Sequence, residues 1–403
     1  MKDKSPVTDE PPRFAQPASL SGVFEVSTLT SIGQLRSIHQ EWLDLLGRAR
    51  LDLPFIWPEW TITWWELFRQ QRPLIRDHLR LKTVRQRSGE LVAIVPMMMT
   101  ERPAIGPIRV RSIGFLGADR YLTEQQVPIV HPAWESGVAE ALVADLARDR
   151  TWNWVAWEGL QRKAALTRRL AQLLELRCTS SQPENILHLT PTWEQFRPGL
   201  GRHVRDSLRH CYNSLKTKGL VAHLDVAAKQ EEIRPALETF FHLHSAIAQH
   251  HNDAGRPDRF AEPTTRSFLI EVCSRFAHHD MARLFTLSIG GIPVASRIGF
   301  LLPECLYLYY GGYDPNWRKF SVGTTVTAEA IKYAIGCGLA RVHLSMGADS
   351  FKSRWSPEMR DFCGAVCVRG NLYSRAAYRL YSYARSNTEM MKGIKGLLGS
   401  RFA

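Results

Sequence analysis

The chain lacks the sequence features of membrane-spanning proteins, exported proteins and several large enzyme classes. No apolar run approaches the ~20 residues that a helix needs to cross a bilayer. Residues 1–22 are polar and proline-rich without the apolar core of a signal peptide, so we expect a disordered tail and a cytoplasmic protein. Walker loops, dinucleotide-binding glycine motifs and serine nucleophile elbows are also absent, which excludes the classes that they define.

Cysteine is scarce and scattered. An odd, unclustered set of seven cysteines predicts reduced thiols rather than a disulfide framework. Cys363 and Cys367 lie close together in sequence, but no second pair of cysteines or histidines completes a zinc site beside them. We therefore expect no metal cofactor.

Positive charge exceeds negative charge. The chain has 52 Lys and Arg against 39 Asp and Glu, a net charge of +13. This surplus indicates either an anionic partner, such as cofactor phosphates, nucleic acid or a membrane surface, or simply a basic solvated surface. Between Gly201 and Gly219, a narrow apolar stripe opposes Arg202, Arg205, Arg209 and Lys216, which predicts a basic amphipathic helix. Its basic face is either solvated or in contact with an anionic substrate or partner.

The two halves of the chain repeat one order of predicted elements, and a length of 403 residues favours two domains. Each half has a hairpin with a glycine-centred turn, then a helix, then a short buried strand, which indicates an internal duplication. The predicted elements are strands 78–86 and 91–99, helix 136–147 and strand 152–157 in the first half, and strands 282–289 and 293–302, helix 324–335 and strand 341–346 in the second.

Three further stretches concern packing. The Trp-rich run Trp57–Phe68 favours core packing over a ligand platform. The run Ala236–Gln249 predicts an amphipathic helix on whose apolar side His244 is a hydrogen-bonded core histidine. The cluster His250-His251-Asn252 follows in a polar loop, where it is either solvated or a source of a general base.

The segment from Cys305 to Trp355 is the most informative. It predicts a strand, a loop with Arg318, Lys319, Ser321 and Gly323, a helix from about Thr324, a second strand and a polar turn. A helix N-terminus preceded by small and basic residues suits a phosphate group. Because parallel strands bring their C-terminal ends together, the phosphate loop and the polar turn should face one cleft.

This segment resembles the GNAT acyltransferase superfamily, and more closely its FemAB-like and CelD-like branch. The resemblance rests on Gly312-Tyr313-Asp314-Pro315, Ser321-Val322-Gly323-Thr324 and Gly347-Ala348-Asp349-Ser350-Phe351-Lys352-Ser353-Arg354-Trp355. The branch typically has G-[YF]-D-P, S-P-G-T and G-D-x-x-Y-K-x-x-W at this spacing. Here Val322 replaces the proline, Asp349 comes one place late after Ala348, and Phe351 replaces the tyrosine.

The resemblance implies a mixed α/β fold with two GNAT-like domains in tandem, of the acyl-CoA N-acyltransferase type. We assign residues 1–22 to an N-terminal tail, 23–190 to an N-terminal GNAT-like domain, 191–388 to a C-terminal GNAT domain of the CelD-like acetyltransferase type, and 389–403 to a C-terminal tail. The first half has no phosphate loop before its helix. We therefore expect the C-terminal half to hold the cofactor and the N-terminal half to shape the acceptor side of the cleft.

The resemblance also implies acyl-CoA, acetyl-CoA or another, as the cofactor. GNAT-type enzymes splay two parallel strands so that backbone groups bind the pantetheine arm and the thioester carbonyl. The run Arg318-x-x-Ser321-x-Gly323 resembles the superfamily's Q/R-x-x-G-x-G/A phosphate motif, with Ser in place of the first Gly. The expected pyrophosphate-binding residues are Arg318, Lys319, Ser321, Val322, Gly323 and Thr324.

Residues near the two strand ends are candidates for the chemistry. Asp349 and Asp314 could bind or deprotonate the acceptor amine, or could be polar turn residues. The proposed proton donor to the leaving sulfur is Tyr313 or Tyr310. Lys352 could bind a phosphate or an acidic acceptor, or could form a salt bridge to a neighbouring acid. Arg297, in a strand, should face inward with a partner such as Asp349.

Three functions stay open at this stage. The first is an N-acyltransferase acting on an amine-bearing small molecule or sugar precursor in exopolysaccharide, cellulose or cell-envelope biosynthesis. The second is a FemAB-like aminoacyltransferase that uses charged tRNA; positive charge favours it, and the lack of heptads for a coiled-coil arm counts against it. The third is a non-catalytic accessory protein of a polysaccharide synthase, suggested by Ala348 and Phe351. Peripheral membrane contact is compatible with all three.

Overall fold

The computed structural model describes residues 23–103, 109–119, 121–250 and 257–386. The predicted tails, 1–22 and 389–403, lie outside these residues, as do His251 and Asn252 of the histidine-rich loop. Within the described ranges, no helix combines the length and the apolar character that a membrane crossing requires.

The described part of the chain contains sixteen strands and twelve α-helices. The strands are β1 (Phe24–Leu29), β2 (Gln71–Arg72), β3 (Ile75–Leu79), β4 (Leu81–Gln86), β5 (Leu91–Val95), β6 (Met97–Pro103), β7 (Arg109–Phe115), β8 (Ile129–Val130), β9 (Trp154–Gln161), β10 (Arg177–His188), β11 (Ala222–Ala227), β12 (Ala282–Ile289), β13 (Ile292–Leu301), β14 (Cys305–Tyr313), β15 (Arg341–Met346) and β16 (Glu358–Val368). The helices are α1 (Ile32–Ser37), α2 (His39–Ala49), α3 (Pro58–Phe68), α4 (Glu135–Arg148), α5 (Ala165–Leu174), α6 (Trp193–Phe196), α7 (Arg202–Thr217), α8 (Gln230–His250), α9 (Pro263–His278), α10 (Val322–Gly336), α11 (Ser350–Ser353) and α12 (Leu372–Ser386).

A single twelve-stranded mixed sheet runs through both halves, in the order β11-β12-β13-β14-β15-β10-β16-β9-β7-β6-β3-β2. In the second half β12, β13 and β14 are antiparallel, and α10 connects β14 to the parallel strand β15. In the first half β3, β6 and β7 are antiparallel, and α4 lies between β7 and its parallel partner β9. The predicted mixed α/β fold is confirmed, and the repeated strand order matches the predicted duplication.

The halves exchange their last strands. Strand β10 is the last strand of the first half in sequence, but it pairs with β15 of the second half. Strand β16 is the last strand of the second half, but it pairs with β9 of the first half. The two exchanged strands also pair with each other at the centre of the sheet, so each half completes the sheet of the other.

The first predicted hairpin differs from the structure. Its turn is correct, with Gly89 at φ +88°, but its arms are broken at Arg80 and Pro96. The outer parts, β3 and β6, belong to the twelve-stranded sheet, whereas β4 and β5 belong to a four-stranded sheet of order β1-β4-β5-β8. Pro96 has no N–H to donate to a ladder, which suits a strand break.

Aromatic side chains join the two halves. The Trp60 ring of α3 lies edge-on to Phe268 and Phe300 of the second half, with centroid distances of 5.1 and 6.1 Å. Trp60 and Trp64 are buried, which agrees with the packing role predicted for the Trp-rich run. In α8, His244 is buried beside Gly311, whose carbonyl oxygen lies 3.2 Å from the His244 Nδ1 atom.

The sheet is covered on both faces around β14. Leu306 and Leu308 point into a core shared with α7 and α10, whereas Tyr307 and Tyr309 point into the core that holds α3, α8 and α9. This alternation follows from the two-residue period of a strand. Helix α7 buries its apolar stripe as predicted, and its basic residues are exposed: Arg202, Arg205, Arg209 and Lys216.

The strand exchange predicts that neither half folds alone. Residues 190–403 lack β10, so β15 and β16 would lose the strand between them and expose unpaired edges. We expect an aggregation-prone product when this fragment is expressed by itself, and a soluble complex when it is co-expressed with residues 23–189. A soluble fragment 190–403 that melts cooperatively in calorimetry would contradict this.

Candidate functional site

Strands β14 and β15 diverge within the sheet. They pair in parallel at Cys305–Arg341, Leu306–Val342 and Tyr307–His343. Just beyond the last pair each strand has one extra residue: β14 bulges at Tyr309–Tyr310 against β13, and β15 bulges at Leu344–Ser345 against β10. Ser345 has φ +66°, a backbone conformation that non-glycine residues rarely adopt. The two bulges bend the strands apart and open a split between them.

The split opens into a cleft of about 2190 Å³ that is lined by both halves. Of the predicted site residues, six line this cleft: Arg297, Tyr310, Tyr313, Gly323, Asp349 and Lys352. The other six lie outside its lining but flank Gly323 in sequence: Asp314, Arg318, Lys319, Ser321, Val322 and Thr324. The polar turn and the first turn of α10 thus face one cleft, as the parallel strands predict.

The predicted phosphate loop is a tight turn that leads into α10. A short 3₁₀ helix, Pro315–Phe320, ends at Ser321, which has φ +56°. The backbone N–H groups of Thr324 and Thr325 both donate to the Ser321 carbonyl at 3.0 Å. A left-handed residue here explains why the related motif usually has glycine at the position of Ser321. Val322 and Thr324 are buried, whereas Arg318 and Lys319 are exposed, so the loop offers backbone N–H groups and two basic side chains.

Two glycines allow close approaches at this site. A Cβ atom on Gly323 would lie 3.2 Å from the Tyr313 ring, so the ring covers the first turn of α10. A Cβ atom on Gly312 would lie 2.5 Å from the His244 backbone nitrogen and 2.7 Å from the Leu243 carbonyl carbon. Gly312 of the first motif is therefore needed because α8 packs directly on β14.

The two candidate aspartates both cap short helices. Asp349 Oδ1 accepts from the Lys352 backbone N–H at 2.8 Å, and its Oδ2 lies 3.4 Å from Lys352 Nζ. Lys352 Nζ also donates to the Met346 carbonyl. Asp314 Oδ1 accepts from the Asn316 N–H at 2.9 Å, as a turn residue does. Asp349 keeps about half of its side chain exposed, on the cleft wall.

Arg297 faces inward from β13, as predicted for an arginine in a strand. Its Nη1 donates to Thr327 Oγ1 at 3.3 Å, and its guanidinium carbon lies 5.7 Å from the centre of the Phe351 ring. Phe351 occupies the position of the usual tyrosine. The ring there thus packs against a cation instead of offering a hydroxyl group.

Sequence reasoning missed the segment 121–126 of the N-terminal half, which lies against the split. Glu124 Oε2 accepts from the Tyr307 hydroxyl at 2.7 Å and from the Met346 backbone N–H at 2.9 Å. The Tyr309 hydroxyl donates to the Leu122 carbonyl at 2.5 Å, and the Tyr310 hydroxyl donates to the Tyr121 carbonyl at 2.5 Å. Three tyrosines of β14 therefore hold the segment in place, which gives Tyr310 a structural contact.

A buried polar network supports this arrangement. Glu184 Oε1 lies 2.8 Å from His343 Nδ1 and accepts from Gln125 Nε2 at 3.1 Å. Asn185 Nδ2 donates to the carbonyls of Ser345 and Gly347 at 3.2 and 2.8 Å. These contacts satisfy polar groups that the split would otherwise leave buried without partners.

The environment of Glu124 favours its neutral form. Burial raises the pKa of Glu124, against the lowering effects of the Lys352 charge and of the hydrogen bonds from Tyr307 and Met346. Burial, and then the Glu124 charge, raise the pKa of Tyr307 well above its ordinary value, so Tyr307 stays a donor. A carboxyl with a raised pKa in a cleft is a feature of functional sites.

Comparisons with known proteins agree with this geometry. Residues 202–353 match the family model described as "Acetyltransferase (GNAT) domain". The crystal structure of FemX superposes with a TM-score of 0.56 at 10% identity, covering 88% of this chain and 99% of that one. No curated protein sequence matches the chain significantly.

Two further solved structures resemble the chain more weakly. One is the C-terminal domain of a putative lysylphosphatidylglycerol synthetase from Agrobacterium fabrum, with a TM-score of 0.49, 12% identity, and coverage of 87% of this chain and 97% of that one. The other is a tandem GNAT protein from the clavulanic acid biosynthesis pathway, with a TM-score of 0.44, 12% identity, and coverage of 86% and 99%.

Residues 202–353 of this protein therefore match the GNAT acetyltransferase domain model. The fold over 88% of the chain is shared with FemX, which is the fold that the FemAB-like resemblance implies.

The Gly312 contact yields a stability prediction. Gly312→Ala forces its Cβ into the α8 backbone, so we expect it to lower the free energy of unfolding by about 2 kcal/mol. Gly336→Ala, at the end of α10, adds a Cβ to open space and should change stability by less than about 1 kcal/mol. Urea unfolding followed by circular dichroism measures both variants, and equal midpoints would contradict the close approach.

Proposed function

We propose that the protein is an N-acyltransferase that moves an acyl group from acyl-CoA, with acetyl-CoA the first candidate, to an amine acceptor. The observation that supports this best is the split between β14 and β15, which opens beside the first turn of α10. GNAT domains use acyl-CoA. We also propose a cytoplasmic location, supported by seven free cysteines.

The residues present fit the cofactor. The N–H groups of Val322 and Gly323, at the start of α10, have no acceptor among the described residues and can donate to a pyrophosphate. Arg318 and Lys319 add positive charge beside them. Gly323, whose missing Cβ leaves room beneath the Tyr313 ring, lies where the loop meets the cleft. In the proposed binding mode Ser321, Val322 and Thr324 contribute backbone shape rather than side chains, and the thioester arm extends from this loop toward the split.

The cleft residues take roles in acyl transfer. Asp349 binds the acceptor amine, and Lys352 fixes Asp349 and contacts an anionic part of a substrate. Arg297 holds the cleft wall through Thr327 and Phe351 and adds positive charge. Tyr313 lies in the cleft above Gly323, where its hydroxyl can donate a proton to the leaving sulfur. Asp314 orders the turn before the phosphate loop and so acts on the chemistry only through that loop.

The size of the cleft supports a bulky acceptor. Ordinary small-molecule sites have volumes of roughly 300–1,000 Å³. The cleft here measures about 2190 Å³ and extends along the first half past Trp154 and Tyr381. An amine-bearing sugar precursor of exopolysaccharide, cellulose or cell-envelope synthesis fits this description better than a small free amine does.

A second candidate, tRNA-dependent aminoacyl transfer, is favoured by the basic face of α7. This face lies next to the phosphate loop, because His210 Nε2 contacts the Lys319 carbonyl at 2.9 Å. Lys218 and Lys319 both lie near the Phe320 ring at the same place. Basic side chains gathered at this place suit a polyanion as well as they suit the phosphates of CoA.

Gly323→Asp tests the cofactor assignment. The new carboxylate would meet the phosphate at the helix N-terminus and would also push on Tyr313, so we expect acetyl-CoA binding to weaken at least about tenfold. Gly336→Asp places the same charge at the other end of α10, so this variant should bind acetyl-CoA as tightly as the parent protein does. Isothermal titration calorimetry measures both.

The same titrations separate the candidate functions. Tight binding of acetyl-CoA by Gly323→Asp would contradict the phosphate loop. A parent protein that binds none of the acyl-CoA species tested but binds aminoacyl-tRNA would favour the second candidate. A parent protein that binds neither would favour the non-catalytic accessory role.

Asp349→Asn tests the acceptor role. The variant keeps an oxygen that can cap α11 but loses the charge, so an ammonium or amine group would lose a charge-assisted hydrogen bond of about 1.5–3 kcal/mol. We expect kcat/KM for the acceptor to fall by about tenfold to a hundredfold while acetyl-CoA binding is retained. Steady-state kinetics with varied acceptor measures this, and unchanged kcat/KM would leave Asp349 only its capping role.

A further inference from the structure

The loop that follows β7 in the first half lies at the candidate site of the second half. In the second half, the stretch between β14 and α10 forms the phosphate loop. The matching stretch of the first half follows β7 and instead carries residues 121–126 across to the split between β14 and β15. Gly159, at φ +82°, allows the crossing, because a Cβ there would lie 3.1 Å from the Gln126 nitrogen and 3.2 Å from the Gln125 Cα atom.

Glu124 is the one acidic side chain of this crossing segment. Both of its hydrogen bonds end on Oε2, and Oε1 accepts none from the residues that the structure describes. Glu124 is partly buried and lines the cleft, and its Oε1 atom keeps its hydrogen-bonding capacity for a substrate donor.

Glu124 reaches the split from the face opposite α10. Its partner Tyr307 points into the core of α3, α8 and α9, whereas Leu306 and Leu308 point toward α10. A cofactor anchored at α10 and an acceptor bound in the first-half part of the cleft would therefore meet at the split, with Glu124 on the acceptor side.

We propose that Glu124 is the general base of the acyl transfer, supplied by the N-terminal half to a thioester held by the C-terminal half. The proposal rests on the proposed N-acyltransferase function. The amine nitrogen forms a bond to the thioester carbonyl carbon, and the carbon–sulfur bond breaks. Glu124 Oε1 takes the proton that the amine loses, and the leaving thiolate takes a proton from Tyr313. Glu124 then returns its proton to Tyr313 through solvent, so no net proton is released.

The surroundings suit Glu124 to this task better than they suit Asp349. A base works best when its pKa lies near the working pH, and burial moves the pKa of Glu124 upward in that direction. Asp349 is about half exposed and lies 3.4 Å from Lys352 Nζ, so it can hold the neutral amine by a hydrogen bond while Glu124 takes the proton. The Tyr307 and Met346 donors fix the Glu124 carboxylate without covering both oxygens.

The first experiment compares Glu124→Gln with Glu304→Gln, which removes an exposed carboxylate that pairs with Arg341 at the far end of β14. For Glu124→Gln we expect acetyl-CoA binding and melting temperature close to those of the parent, with kcat lower by about 10²–10⁴-fold. Glu304→Gln should match the parent in all three measurements. Parent-like kcat in Glu124→Gln would overturn the proposal while leaving the N-acyltransferase function intact.

A second variant distinguishes a base from a structural group. The carboxylate form of a base is active, so kcat at saturating acceptor should fall as pH drops through the pKa of Glu124. Tyr307→Phe removes a hydrogen bond that lowers this pKa, so the acidic limb should move to higher pH. An acidic limb that stays in place in folded Tyr307→Phe would overturn the proposal. A parent protein with no acyl-CoA binding and no acyl transfer would instead overturn the proposed function.

Discussion

The split between β14 and β15 is the constraint on which the rest of the site depends. Opening a sheet at its centre leaves backbone groups without ladder partners in a buried place, which costs stability unless other groups satisfy them. Here Glu124 accepts from the Met346 N–H, and Asn185 donates to the carbonyls of Ser345 and Gly347. Both partners come from outside the strands that they stabilise. The open split is therefore possible only in the joined, strand-exchanged molecule.

The two halves differ in the bulges of their parallel strands. Strand β9 keeps a bulge at Glu158–Gly159, where β15 has Leu344–Ser345, but β7 pairs with β6 without any shift in register. Among the described residues, only the second half has bulges in both parallel strands, and its helix α10 follows the loop proposed to bind phosphate. The first half has retained the scaffold and contributes a wall, a strand and a carboxylate to the site of its neighbour.

Local patterns in the sequence predict the parts of the site that local structure determines. Strand β15 has the predicted limits, and β14 and α10 differ from prediction by a few residues, because strand composition, glycines and the helix start lie within one short segment.

The position of Glu124 could not be predicted in this way. Its partners lie more than 180 residues away in sequence, and its segment has no helical or strand period. The sequence feature that could have drawn attention to residues 121–126 was their place in the duplication, between β7 and α4. The break of the first hairpin at Arg80 and the exchange of β10 and β16 are likewise set by long-range pairing.

The exchange of β10 and β16 also constrains how the chain can be made. During synthesis the first half emerges first, and its strand β9 can pair with β7 early but acquires its second partner only when Glu358–Val368 has left the ribosome. Until then one edge of β9 and one edge of β10 are unpaired. Pairings of such large sequence separation form slowly and expose strand edges in the meantime. For this protein the nascent chain is thus vulnerable to misassociation until Glu358–Val368 has emerged, and its two halves acquire their final structure at the same time.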